Sequence, residues 1–131
     1  MQYENRAVIW PTAFKAVLLN SLAGGGFGNT EVRLRKIIKQ EHNSLIGYYV
    51  DSSHNLFLDW WVQGGVVGLG IFVMLCIIAI KNFYIKQRTF ELLLFLGLVT
   101  VFSFNPLSVV SLVQLWWLIG QGFSKLNIGR L

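Results

Sequence analysis

Apolar and polar positions are distributed unevenly along this chain. Up to about Ser53 they are interleaved, and from Leu56 onward apolar residues dominate. The stretch from Asn55 to about Ile80 has a polar mouth and then an apolar run long enough to cross a hydrocarbon layer of ~30 Å. The polar KNFYIKQR follows, with Lys81, Lys86 and Arg88. TFELLLFLGLVTVFSF is a second apolar segment, and NPLS interrupts it. Asn105 suits an N-cap there and Pro106 the first helical position. A third segment, LSVVSLVQLWWLIGQGF, ends before Lys125 and Arg130. The pattern predicts an all-α fold, an integral membrane helical bundle. About three transmembrane helices, at about 55–80, 89–104 and 106–123, fill residues 54–131. Residues 1–53 form an extracytoplasmic loop region with short helices.

Within that first region, AVIWPTAFKAVLLNSL predicts a short helix started or broken at Pro11. GGGFGN is a turn that lets the loop fold back. It has no Gly-Lys-Ser/Thr ending and is not a nucleotide loop. TEVRLRKIIKQEH sets Val32, Leu34, Ile37 and Ile38 among Arg33, Arg35, Lys36 and Lys39, which predicts a short basic amphipathic helix. NSLIGYYVDSS reads as loop, and His42 beside Glu41 is expected to be solvated. Short loops rich in Lys and Arg stay cytoplasmic, so Lys81, Lys86, Arg88, Lys125 and Arg130 mark the cytoplasmic side. His54 then faces the opposite side.

Composition supports the membrane reading. The chain is 54% hydrophobic and only 13% charged, too apolar for an ordinary small soluble domain. Five Trp, four Tyr and ten Phe fit a protein with interfacial anchors. The net charge of +5 is thinly spread and lacks the patch structure of a nucleic-acid binder, so membrane lipids and an anionic ligand are the expected partners. The single cysteine, Cys76, cannot form an intrachain disulfide, and no Cys/His spacing suits zinc. No metal or cofactor is expected. The start lacks a convincing signal peptide, because Asn20 breaks the apolar stretch after Lys15 and Glu4 lies upstream. The chain is expected to be the C-terminal part of a longer membrane protein.

The polar mouth needs a reason, since burying such groups near lipid costs several kcal/mol each without partners. A structural reading has Ser53 capping the helix, His54 and Asn55 wetted at the interface, and Asp59 favoured by the helix N-terminus. On a helix, His54, Leu58, Trp61, Gly65 and Gly68 share a stripe, and Asn55 and Asp59 form an i, i+4 pair. Trp60 and Trp61 mark the headgroup level. Gly64 and Gly68 form a small-xxx-small pair expected to serve helix packing, and Gln114 could bond a neighbouring helix.

His54-Asn55, nine residues, then Gly65-Val66-Val67-Gly68 resembles the signature of bacterial O-antigen ligases and Wzy-type polymerases. These are multi-span enzymes that transfer lipid-linked glycans outside the cytoplasmic membrane. ENRAVIWPTAFKAVLLNSLAGGGFGN, about 50 residues earlier, resembles the same family's segment of Arg, nearby Trp, short helix and Gly-rich turn. SSHNLFLDWWVQGGVVGL matches its habit of an Asp shortly after the His-Asn pair. The resemblance covers roughly residues 5–80. Trp10 stands where ligases often carry Leu, and an arginine that the family uses in an earlier loop has no counterpart.

The resemblance implies a polyprenyl-pyrophosphate-linked glycan donor and a hydroxyl acceptor on a glycan, lipid or protein. It places the chain in the bacterial inner membrane, multi-pass, with its site on the extracytoplasmic side. His54 is the candidate base or acceptor-orienting group, since an unperturbed histidine side chain exchanges protons near neutrality. Arg6 is the candidate clamp for the departing pyrophosphate, which a guanidinium can grip bidentately. Asn55 is expected to orient His54 or bond a sugar hydroxyl. Arg33, Arg35 and Lys36 offer a second cationic face for the donor, or a solvated helix. The alternative is a non-catalytic small membrane protein packing against partner helices, in which Gly64 and Gly68 matter more than His54.

Overall fold

The computed structural model describes residues 6–19, 21–41, 52–105 and 109–124. Those residues are all-helical: α1 (Arg6–Leu19), α2 (Thr30–Glu41), α3 (Leu56–Ile85), α4 (Thr89–Phe102) and α5 (Val109–Phe123). They bury two apolar clusters, the first between α1, α2 and the start of α3, and the second between both arms of α3, Leu56 included, and α4 and α5.

The first cluster is built by α1, α2 and the start of α3. Ile9, Ala13, Ala16 and Val17 form a helical stripe on α1 that meets Leu34 and Ile37 of α2 and Leu58 and Val62 of α3. This packing carries α1 through Pro11. The ring forfeits one intrahelical hydrogen bond, yet the helix begins upstream at Arg6 and is not started or stopped by the proline. α2 forms where its amphipathic pattern places it, but Val32 is 66% exposed and lies off the buried face.

α3 is not one straight rod. Gly65 has φ +65° and ψ −166°, which no helix accommodates. The glycine-rich turn threads into the gap. Gly25 and Gly26 donate to the carbonyls of Val62 and Gln63 at 2.8 and 2.9 Å, and Val66 donates to Ser21 O at 2.8 Å. The backbone groups released by the break are thus taken up by another stretch of backbone. Glycine is required on both sides. A Cβ on Gly24 would fall 2.3 Å from Gly65 N, and one on Gly65 would fall 2.2 Å from Leu22 O. The two arms of α3 then fold toward each other. The ring centroids of Trp60 and Phe72 lie 4.8 Å apart and nearly parallel, although twelve residues of straight helix would separate them by ~18 Å. The stripe expected from His54 through Gly68 therefore does not exist as one face. Among the described residues, a Cβ on Gly64 would meet only Phe27 at 3.7 Å, and one on Gly68 only Trp60 O at 3.9 Å.

The second cluster joins Phe72, Cys76, Ala79 and Phe83 of α3 to Phe95 and Phe102 of α4 and Leu115, Leu118 and Ile119 of α5. α3 runs to Ile85, beyond the expected end near residue 80, because KNFYI holds no helix breaker. It stops where Gln87 turns left-handed at φ +54°, with Arg88 N–H on Phe83 O at 2.9 Å and Gln87 N–H on Tyr84 O at 3.1 Å. α4 ends at Phe102, and α5 starts at Val109. Asn105 serves the helix behind it, donating from Nδ2 to Val101 O at 3.1 Å, while Pro106 lies outside the described residues. Gly122 lets α5 approach α3, since a Cβ there would lie 2.9 Å from Ala79 Cα. The end of α5 is capped by α3 and the α3–α4 turn: Asn82 donates to Gly122 O at 3.0 Å, and Lys86 to Ser124 O at 2.6 Å.

Among the described residues, α3 is the one helix long and apolar enough to cross a membrane by length and composition. Its arm after the break, Val66–Ile85, alone reaches ~30 Å. Apolar side chains also face outward, among them Ile71, Met74, Ile77, Leu93 and Val113.

Candidate functional site

The backbone before α3 turns sharply at His54, which has φ +55° and is only 4% exposed. A non-glycine residue holds this conformation only when its surroundings fix it. Those surroundings come from three directions. Trp10 of α1 donates its indole N–H to Ser53 O at 3.1 Å. Asp59, 2% exposed in the first turn of α3, accepts the Ser53 N–H on Oδ1 at 2.7 Å. Ser52 Oγ accepts the His54 N–H at 3.2 Å, and Ser53 Oγ donates to Asn55 O at 3.1 Å.

Asn55, not Ser53, is the N-cap of α3. Its Oδ1 accepts the Leu58 N–H at 3.0 Å, and its Nδ2 donates to Ser103 O at the end of α4. Asn55 thus fastens the residue after His54 to two helices at once. His54 itself precedes the helix instead of riding on it. Asp59 meets Asn55 through the backbone, by its N–H on Asn55 O at 2.9 Å, while its carboxylate holds Ser53. Trp60 and Trp61 are braced by rings: Trp60 stacks on Phe72, and Phe14 meets Trp61 edge-on at 6.0 Å.

Arg6 opens α1, one helical turn before Trp10, while its side chain lies outside the described part of the structure. The fold therefore brings the α1 segment and the His54 turn together through Trp10. The basic residues of α2 separate into two groups. Arg33 lies along the glycine turn, where a Cβ on Gly25 would fall 2.2 Å from its Nε. Lys36, exposed, is three residues further on and shares that side. Arg35 pairs with Glu31 at 3.1 Å across one turn. Residues 42–50, His42 included, lie outside the described residues, as do Lys125 and Arg130.

Two cavities flank the first arm of α3. One, of about 310 Å³, is lined by Trp10, Asn55 and Trp61 among others. The other, of about 270 Å³, is lined by Asp59, Gln63, Trp60 and Trp116 with Phe27 and Leu112. A larger one, about 550 Å³, opens at the α3–α4 turn beside Phe83 and Gln87, at the far end of α3 from His54. Among the described residues no three His, Cys, Asp or Glu side chains are grouped to hold a metal ion.

Sequence reasoning missed Asp59 as the holder of Ser53, Trp10 as the staple and Gly65 as the break. The doublet Gly64-Gly65 inside an apolar run was the available signal, because glycine inside a helix costs about 1 kcal/mol and needs a reason.

The comparisons bear on the same segment. A curated relative, the ComP-specific O-oligosaccharyltransferase of Acinetobacter baylyi, is 32% identical over 100 residues, covering 76% of this chain and 18% of its own length. The chain therefore spans less than a fifth of the curated relative it matches. No solved structure matches it. The family described as O-antigen ligase matches residues 1–73, a stretch that holds α1, the glycine turn, α2, the His54 turn and the break in α3. With more than half of its length matched, the chain belongs to the O-antigen ligase family.

Proposed function

We propose that this chain is the part of a bacterial inner-membrane glycan transferase that carries its extracytoplasmic site. The donor is a glycan on polyprenyl pyrophosphate, and the acceptor is a hydroxyl on a glycan, lipid or protein. The acceptor oxygen bonds to the anomeric carbon as that carbon's bond to the pyrophosphate oxygen breaks. The hydroxyl proton passes to His54, and polyprenyl pyrophosphate leaves with added negative charge, which Arg6 neutralises. Asn55 acts by holding the His54 turn in place. Arg33 and Lys36 are the nearer candidates for further contact with the donor phosphates, and Arg35 joins them only by giving up Glu31.

The observation that carries this reading is the buried His54 at φ +55°, pinned through Ser53 by Trp10 of the helix that Arg6 opens. Outward-facing apolar residues on α3, α4 and α5 support a multi-pass membrane setting. The Lys86–Arg88 turn supports a cytoplasmic placement for that end of the bundle, with His54 opposite.

The test places His54→Asn and Arg6→Ala in the complete protein and measures glycan attachment. Asparagine tolerates the left-handed backbone but cannot act as a base. Transfer is expected to fall about 100-fold to 10,000-fold in His54→Asn with the protein level maintained. Wild-type attachment in both variants would remove the catalytic reading.

A further inference from the structure

The cavity of about 270 Å³ beside the first arm of α3 has walls of an unusual mixture. Three are aromatic. Phe27 meets Trp60 edge-on at 5.3 Å, and Trp60 meets Trp116 edge-on at 5.9 Å. Trp60 is itself backed by Phe72, so it cannot swing away. Phe27 and Trp116 remain 65% and 41% exposed, which leaves ring surface for a ligand. Gln63 and the nearly buried Asp59, 2% exposed, complete the lining.

We infer that this cavity is a subsite for one pyranose ring of the glycan. The inference rests on the transferase reading and deepens it. A pyranose has an apolar C–H face, which packs on aromatic rings, and a rim of hydroxyls, each a donor and an acceptor. The partly exposed Gln63 amide, which both donates and accepts, matches that rim. A lipid tail would leave the Gln63 amide without a polar partner, and a phosphate would meet the negative charge of Asp59 nearby. The volume lies just below the ~300–1,000 Å³ of sites for drug-sized ligands, which suits a single ring. The position also couples it to the reaction centre, since Asp59 Oδ1 holds the Ser53 N–H at 2.7 Å, next to His54. A sugar seated on Gln63 therefore lies one helical turn along α3 from the carboxylate that fixes the catalytic turn.

The experiment uses the complete protein in detergent and free monosaccharides, galactose and N-acetylglucosamine included, with saturation-transfer NMR as the readout. At least one pyranose is expected to receive saturation on its ring C–H protons. Gln63→Ala and Trp116→Ala are each expected to weaken binding about tenfold, and His54→Asn to leave it intact. Gln63 is a partly exposed helical position, so its variant folds even if Trp116→Ala does not. In reconstituted membranes Gln63→Ala is expected to raise one KM about tenfold with kcat retained. A shift in the donor KM assigns the ring to the donor, and a shift in the acceptor KM to the acceptor. The subsite is overturned if no pyranose binds, if binding ignores both substitutions, or if kcat falls with neither KM changed. Sugar binding without any transfer by the wild-type protein removes the transferase reading and leaves the subsite. Transfer that depends on His54 but ignores Gln63 and Trp116 does the reverse.

Discussion

Trp10 and Ser53 are 43 residues apart in the chain, yet the indole N–H of one donates to the carbonyl of the other at 3.1 Å. The bond fixes α1 against the turn that presents His54. Ser53 is held from the other side by Asp59, so its peptide groups are clamped on both faces. That double clamp is what lets a histidine keep a left-handed backbone while nearly buried.

Trp10→Phe keeps most of the ring and deletes only the donor. It is expected to cost about 1 kcal/mol of stability. If the clamp aligns His54, transfer falls far more than stability does, up to about 100-fold for a displacement near 1 Å. Thermal melting and glycan attachment, measured on one preparation, check the two effects separately.

Asn55→Asp retains the acceptor for Leu58 N–H and loses the donor to Ser103 O. The α3 cap is expected to survive while a carboxylate oxygen faces a carbonyl, at a cost of about 1–3 kcal/mol. Asn55→Ala loses both contacts and is expected to cost more. Hydrogen exchange at the end of α4 reads the loss directly.

Gly65→Ala places a Cβ 2.2 Å from Leu22 O on a backbone at φ +65°. It is expected to destabilise by about 3 kcal/mol or more and to deplete folded protein. Gly64→Ala, with its nearest neighbour Phe27 at 3.7 Å, is expected to be neutral or stabilising by up to about 1 kcal/mol. Equal behaviour of the two in a melting experiment would contradict the threaded break.

Gly122→Ala sets a Cβ 2.9 Å from Ala79 Cα, so α3 and α5 must part. The expected cost is about 1–3 kcal/mol. Gly120→Ala meets nothing within 4 Å and serves as the comparison, expected to gain from helix propensity.

Much of this organisation was legible in the sequence. The basic amphipathic pattern after GGGFGN marked α2, and three apolar segments marked α3, α4 and α5, because periodicity and run length follow from burial. The family was legible in the His54-Asn55 to Gly65 spacing and the Arg6–Trp10 segment. Helix ends were harder. Local cap chemistry suggested Ser53, but Asn55 took the cap of α3 with Ser103 as a further partner, while the residues that Asn105 would cap lie outside the described ones. The break at Gly65 was out of reach of any periodicity, since its partner carbonyls and amides lie about 40 residues upstream on a turn with no hydrophobic signal. The role of Asp59 was hidden for the same reason, because nothing in SSHNLFLD shows that the carboxylate folds back onto Ser53.

The threading of the glycine turn into α3 has a consequence for how such proteins can be rebuilt. Ser21–Gly26 is synthesised before Val62–Val67, so the strip that closes the gap already exists when the gap appears. Helix and strip are therefore a lock with its own key, cut together. A chimera that sets a residue with a Cβ at Gly24 or Gly65 blocks the gap, because that Cβ would fall within 2.3 Å of the facing backbone. Exchanges of either piece should therefore keep both glycines.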